Sequence, residues 1–157
     1  MVSWGELREL RPELVDDGRT LLYQFGVGLA FLGTVAGDGR PRVNPVCPLV
    51  TDDNLYAFVV PGPKRHDLLR DGRYTLHSFP CPNNEDAFSF GGRSSAVGDA
   101  GTRSRLAQQF VDERAEIGLG LDRLADQLLF RFDIERCMLT RTTGHGDPSP
   151  VHTMWIA

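Results

Sequence analysis

The sequence predicts a mainly β protein, an antiparallel barrel of six to seven strands with flanking α-helices. Segments dense in β-branched and aromatic residues follow one another through glycine- and proline-marked turns. One of them, Leu128 to Ile134, sets Leu128, Phe130, Phe132 and Ile134 against Leu129, Arg131 and Asp133 with the period of two that marks a strand. The regular β-α-β alternation of a doubly wound parallel sheet is missing, and closing an antiparallel sheet into a barrel removes its edges.

The elements follow in order. Ser3 and Glu6 have the spacing of a capping box, and Pro12 suits the first turn of a second helix reaching Leu22. Leu29 to Val35 reads as a covered strand, and Gly37-Asp38-Gly39 as the tight turn after it. The next strand, Arg42 to Val50, contains Pro45 and Pro48, which donate no ladder hydrogen bond, so it belongs at an edge or is bulged. Thr51 to Asn54 is a turn, and Leu55 to Val60 completes an expected three-strand meander. Pro61-Gly62-Pro63 ends that strand and KRHDLLRDG forms a helix of about two turns. Tyr74 to Phe79 is the fourth strand, and Asp86 to Val97 a fifth, bent at Gly91-Gly92. Thr102 to Ile117 places Leu106, Phe110 and Ile117 on one side of an amphipathic helix. Leu128 to Ile134 and Met138 to Thr142 are the last strands, and Gly144 to Ala157 reads as a loop. No linker or repeat divides residues 1–157, so one domain is expected: N-terminal helices over about 3–25, a barrel over about 29–142 and a tail over 143–157.

Composition narrows the partners. With 157 residues, 41% hydrophobic and 24% charged, the chain can bury a core unaided. A net charge of -4 without a basic stripe argues against nucleic acid and for small-molecule or protein partners. No apolar run approaches the roughly 18 residues that span a bilayer, and the charged start MVSWGELREL does not read as a signal peptide. A soluble cytoplasmic protein with no membrane partner is expected. Cys47, Cys81 and Cys137 are odd in number and lack a C-x-x-C, so free thiols are expected. His66, His77, His145 and His152 share no helical i, i+4 pair, so no metal site is expected.

The chain holds sixteen arginines and one lysine, Lys64, which stands with Arg65 at the start of the short helix. Free N–H groups and the positive end of the helix dipole suit an anion there, and the arginine fork matches phosphate oxygens. A solvated surface pair is the alternative.

Three motifs, GDGRPRVNPV at Gly37 to Val46, LYAFVVPGPKRHDL at Leu55 to Leu68 and FGGRSSAVGDAGTR at Phe90 to Arg103, follow in an order that resembles the pyridoxamine 5'-phosphate oxidase-like family of FMN-binding split barrels. The resemblance implies a split β-barrel of Greek-key type and a homodimer with the flavin at the subunit interface. It implies Lys64 and Arg65 at the FMN phosphate and the segment Asn44, Pro45, Val46 and Cys47 beside the ring. Prolines leave that backbone partly unpaired, and the Asn44 amide can donate and accept, although an asparagine bonding its own backbone is equally open. Phe58 and Val59 match the third-strand positions flanking the cofactor, with core packing as the alternative for Phe58. His77 and Ser78, and more weakly Ser89, lie on strands that approach the flavin. Trp155, with His145 and His152, falls in the region that in relatives reaches the partner's flavin, although a terminal tryptophan also closes cores.

The implied activity is FMN-dependent oxidoreduction of a small molecule, with hydride passing through flavin N5 and no separate catalytic residue identifiable. The arginine-bearing C-terminal motifs of the true oxidases have no counterpart in SPVHTMWIA, so oxidation of pyridoxamine phosphate itself is not implied. A deazaflavin-dependent reductase, with Arg40, Arg42 and Arg93 supplying extra positive charge, is one alternative. A non-catalytic flavin- or haem-binding module, with His77, His145 or His152 toward haem, is another.

Overall fold

The computed structural model describes residues 1–157. Ser3 caps α1 (Trp4–Leu10) reciprocally: Glu6 N donates to Ser3 Oγ at 3.2 Å and Ser3 N to Glu6 Oε2 at 2.7 Å. Pro12 opens α2 (Pro12–Leu22), which turns Leu14, Val15, Leu21 and Leu22 into the core. The strands are β1 (Ala30–Val35), β2 (Pro41–Val46), β3 (Pro48–Val50), β4 (Leu55–Val59), β5 (Arg73–Ser78), β6 (Ala87–Ala96), β7 (Leu128–Arg141) and β8 (Val151–Ile156). Helix α3 (Pro63–Arg70) joins β4 to β5, and α4 (Ala100–Asp112) follows β6.

All strand pairs are antiparallel, and the sheet runs β2-β1-β5-β6-β7-β4-β3 with β8 beside β7. It curls into a half-barrel flanked by four helices. No helix is long and apolar enough to cross a membrane.

The expected strand Arg42 to Val50 is divided at Cys47. Its first part pairs with β1 and its second with β4, so one stretch of chain supplies both ends of the strand order. The expected meander is therefore absent: β5, not β4, takes the other edge of β1. Pro48 has no N–H to continue the first ladder, and this is the local reason for the division.

Three further differences have equally local causes. The helix expected to reach Ile117 ends at Asp112, and Ile117 is 74% exposed beyond it, while Leu106 and Phe110 are buried as expected. The two expected last strands are one strand, β7, because β6 and β4 pair along its first part and β6 and β8 along its second. The expected terminal loop contains β8, whose Trp155 lies opposite Cys137.

The main core gathers Trp4, Leu22, Leu32, Leu76, Phe88, Phe90, Phe130 and Phe132 inside the sheet under the α1–α2 pair. A smaller one, Leu49, Phe58, Leu106, Phe110 and Leu129, lies between β4 and α4. Leu129, expected on the polar side of its strand, is buried because α4 covers that face.

Candidate functional site

Proline and glycine shape the entry to α3. Gly62, with φ of 144°, takes a backbone conformation that side-chain-bearing residues rarely adopt, and Pro63 starts the helix without needing a hydrogen-bond partner. No side chain caps this end; Arg65 N and His66 N already donate to Gly62 O at 3.1 and 3.2 Å, so the Lys64 N–H is the one free backbone donor of the first turn. Lys64 Nζ donates to Pro45 O at 3.0 Å, bridging the helix start to the edge strand β2. Arg65 Nη1 donates to Asp126 O at 2.9 Å. Neither cation lies within 4.0 Å of a carboxylate, whereas Arg40, Arg42, Arg70 and Arg73 nearby all do.

Burial lowers the pKa of Lys64 below the ordinary lysine value, against a smaller opposing pull from the Cys47 thiol beside it. The fold thus disfavours the ammonium slightly, and an oxyanion would restore it. Between the lowered folded value and the ordinary unfolded one, the unfolded chain binds more protons, so stability rises with pH through that window. Because Lys64 is the only lysine, a nitrogen NMR titration of its ζ-amine is free of overlap. It should show a midpoint below the ordinary value near 10.4. A midpoint at or above that value would remove burial as the dominant influence.

Residues 42, 44 and 46 share one side of β2 by strand alternation. Arg42 Nε reaches Asp67 Oδ2 on α3 at 3.0 Å, and Thr34 Oγ1 donates to the same oxygen at 2.8 Å. Asp67 is 5% exposed, so this buried clamp fixes α3 over β1 and β2. Asp67 was not among the expected site residues. Its signal was its position three residues after Lys64 and beside Leu68, on the inward face of the short helix. On the same side of β2, Asn44 Nδ2 is buried and has no hydrogen-bond partner. An orphaned buried donor is costly enough that a ligand oxygen is a natural complement.

The structure therefore brings Lys64, Pro45 and Cys47 together at the α3 start, with Asn44 next to Pro45 in β2 and Arg65 turned toward Asp126. Val46 is a buried core residue of the same strand. Other expected residues fall elsewhere. The Phe58 ring packs edge-on to Phe110 at a centroid distance of 5.9 Å and beneath the Arg103 guanidinium, and Val59 is fully buried. Their side chains belong to the core, the reading the sequence favoured for Phe58. Ser78 is fully buried and its Oγ accepts from Phe88 N at 3.0 Å, so it ties β5 to β6 and has no free face.

His77 is exposed on the outer face, in a groove of about 460 Å³ shared with Phe31, Val43 and Arg136. Its Nδ1–H donates to Ser78 O at 2.7 Å, leaving Nε2 available. Phe31 pairs with both Pro45 and His77, so the groove begins across β2 from Lys64. Ser89 pairs with His77 in the same row. His145 donates to Pro82 O and His152 meets Thr140 Oγ1, both in the C-terminal region.

Asn44 and Trp155 lie at opposite ends of one cross-strand row, Asn44-Leu32-Leu76-Phe90-Cys137-Trp155. Five strand spacings put them about 24 Å apart along the sheet. Within one chain Trp155 packs against the main core and does not join the Lys64 site.

The curled sheet with a divided β2/β3 edge and a helix after β4 has close counterparts among solved structures. A protein related to general stress protein 26, of the pyridoxinephosphate oxidase family, from Clostridium acetobutylicum superposes with a TM-score of 0.60 at 14% identity over 95% of this chain and 94% of that one. The fold is the pyridoxamine 5'-phosphate oxidase-like split barrel. HutZ, the haem storage protein of Vibrio cholerae, is a similar split barrel, with a TM-score of 0.63 at 17% identity over 94% of each chain. A haem-binding protein from Mycobacterium smegmatis matches with a TM-score of 0.66 at 16% identity, over 91% of this chain and 58% of that one. No family model matches the sequence. No curated protein sequence matches it either.

Proposed function

We propose that this split barrel is an FMN-binding oxidoreductase that works as a homodimer on a small molecule in the reducing cytoplasm. The observation that carries the reading is the α3 start, where a half-buried lysine without a carboxylate, an arginine and one free backbone N–H meet β2 at Pro45, the chain neighbour of Asn44 with its orphaned amide. The residues fit a flavin mononucleotide. Lys64, Arg65 and the first turn of α3 would hold its phosphate, and Asn44 with the Pro45 to Cys47 backbone would face the ring's polar edge. When bound, FMN supplies hydride transfer at N5.

The chain's own residues position rather than react. The Arg42-Asp67-Thr34 clamp fixes the phosphate end against the strand end, and Pro45 keeps β2 open on its outer edge. In the proposed homodimer the C-terminal strand β8 with Trp155 of a second copy would approach the Lys64 site. The three free thiols accord with a reducing compartment.

Arg40 is paired with Asp38, Arg42 with Asp67, and Arg93 donates to Asp71 O, so the cations that a deazaflavin's acidic tail would need are already engaged. FMN is favoured over deazaflavin on that ground. A haem-binding reading draws on the free Nε2 of His77 in the outer groove and on the haem-handling proteins that share the fold.

The visible absorption of the purified protein, before and after adding FMN or haemin, separates these readings, followed by reduction with NADPH and NADH. FMN uptake and reduction are expected. A protein that ignores FMN but binds haemin, with loss in His77→Ala, would replace the flavin reading. Bound flavin that neither nucleotide reduces and no acceptor reoxidises would leave a binding module.

A further inference from the structure

A second cleft, of about 470 Å³, lies between the α1–α2 pair and α4, away from every residue of the Lys64 site. Asp16 and Arg19, three apart on α2, share one helix face, and Arg105 and Gln109, four apart on α4, share another. Arg8 of α1 and Asp52 of the β3–β4 turn close one end, and the buried Trp4 lies at the floor.

The charges in this cleft do not balance. Arg8 approaches both carboxylates, Asp16 at 3.5 Å and Asp52 at 3.9 Å. That leaves Arg19, whose guanidinium only faces the Tyr23 ring at 5.2 Å, and Arg105, whose side chain makes no hydrogen bond or ion pair. Three guanidiniums and two carboxylates thus line one concavity, an excess of one positive charge in a chain of net charge -4, and the forks of Arg19 and Arg105 have no ion-pair partner. Both arginines are solvent-exposed and line a hollow of ligand size, so their forks are accessible to an anion from solution.

Gln109 Nε2 is engaged by Val50 O at 3.3 Å and Glu113 Oε1 at 2.9 Å, which leaves its Oε1 as a neutral acceptor in the cleft. Cationic forks beside a neutral acceptor and two rim carboxylates recognise an anion that also carries hydroxyl donors. We propose that the cleft binds a small hydroxylated phosphate monoester, of about the size of a pentose phosphate, with Arg19 and Arg105 on the phosphate and Gln109 on a hydroxyl. The site is separate from the proposed flavin site and requires no flavin.

The test is calorimetric titration of the full chain with ribose 5-phosphate and with ribose. Binding tighter than about 1 mM is expected for the phosphate ester and none for ribose. Arg105→Ala should weaken it by roughly tenfold or more, because a charge-assisted fork is lost. Arg105 has no partner within the chain, so an unchanged melting temperature should accompany that loss. Lys64→Ala should leave the affinity unaltered. No measurable binding, equal binding of ribose, a change under about threefold in Arg105→Ala, or a loss in Lys64→Ala instead would each overturn the proposal.

Discussion

Lys64→Ala is expected to weaken FMN binding by about 1.5–3 kcal/mol, roughly ten- to 150-fold, and Arg65→Ala by a similar amount. A hydrogen bond to a charged group is worth more than a neutral one, and here neither cation has a carboxylate to fall back on. The two losses arise differently. Lys64 is half-buried and bonded to Pro45 O, so its removal also frees the edge of β2 beside the proposed ring site. Arg65 faces Asp126 O with one nitrogen and keeps the rest of its fork available. Flavin fluorescence titration of both variants measures the effect, and Glu9→Ala, an exposed position on α1, serves as the reference. Melting temperatures without ligand should stay close to that of the parent, since each side chain bonds only one carbonyl. Parent-like affinity in both variants would move the phosphate away from α3.

Gly92→Ala is expected to destabilise the fold by about 3 kcal/mol, at the upper end for overpacking. A Cβ at Gly92 would stand 2.1 Å from Asp133 O and 2.9 Å from Glu135 N, both backbone atoms of β7 that no rotamer change can move aside. The register between β6 and β7 shifts between Gly91 and Gly92, so the bulge depends on this close approach. For a domain of this size the melting temperature should fall by roughly 6–12 °C. Gly98→Ala is the control, because a Cβ there meets nothing within 4 Å and should change little. Equal melting temperatures for the two variants would show that β7 yields without strain.

The bulge itself was legible, because a Gly-Gly pair inside a strand pattern has few other uses. So were the Ser3–Glu6 cap, the Gly37 to Gly39 turn and the short helix after Pro63, each governed by residues within a few positions of one another. At the candidate site, Lys64 and Arg65 could be placed at a helix start from local signals. The contribution of Asn44 could be named but not weighed, since an orphaned amide is visible only once its neighbours are in place.

What failed to show in the sequence depends on which strand comes alongside. Pro48 marked an interruption, but nothing near it says that β2 joins β1 while β3 joins β4. The apolar end Met154 to Ala157 was too short to distinguish a strand from a tail until β7 offered an edge for β8. Phe58 read as core more readily than as a cofactor contact, but the partner that covers it, Phe110 of α4, shows only in the fold. Asp67 drew no reading from the sequence, because its partners Arg42 and Thr34 reach it from two strands distant in the chain.

By itself, then, the sequence determined the class of fold, the caps, the turns and the cationic pair, because these rest on backbone preferences and side-chain bonds spanning only a few residues. The tertiary structure alone decided strand order, the division at Cys47, the burial of Asp67 and the placing of Asn44 and Trp155 at opposite ends of one cross-strand row. Each of those is a pairing between distant segments, and its free energy resides in contacts that do not exist until the chain has closed.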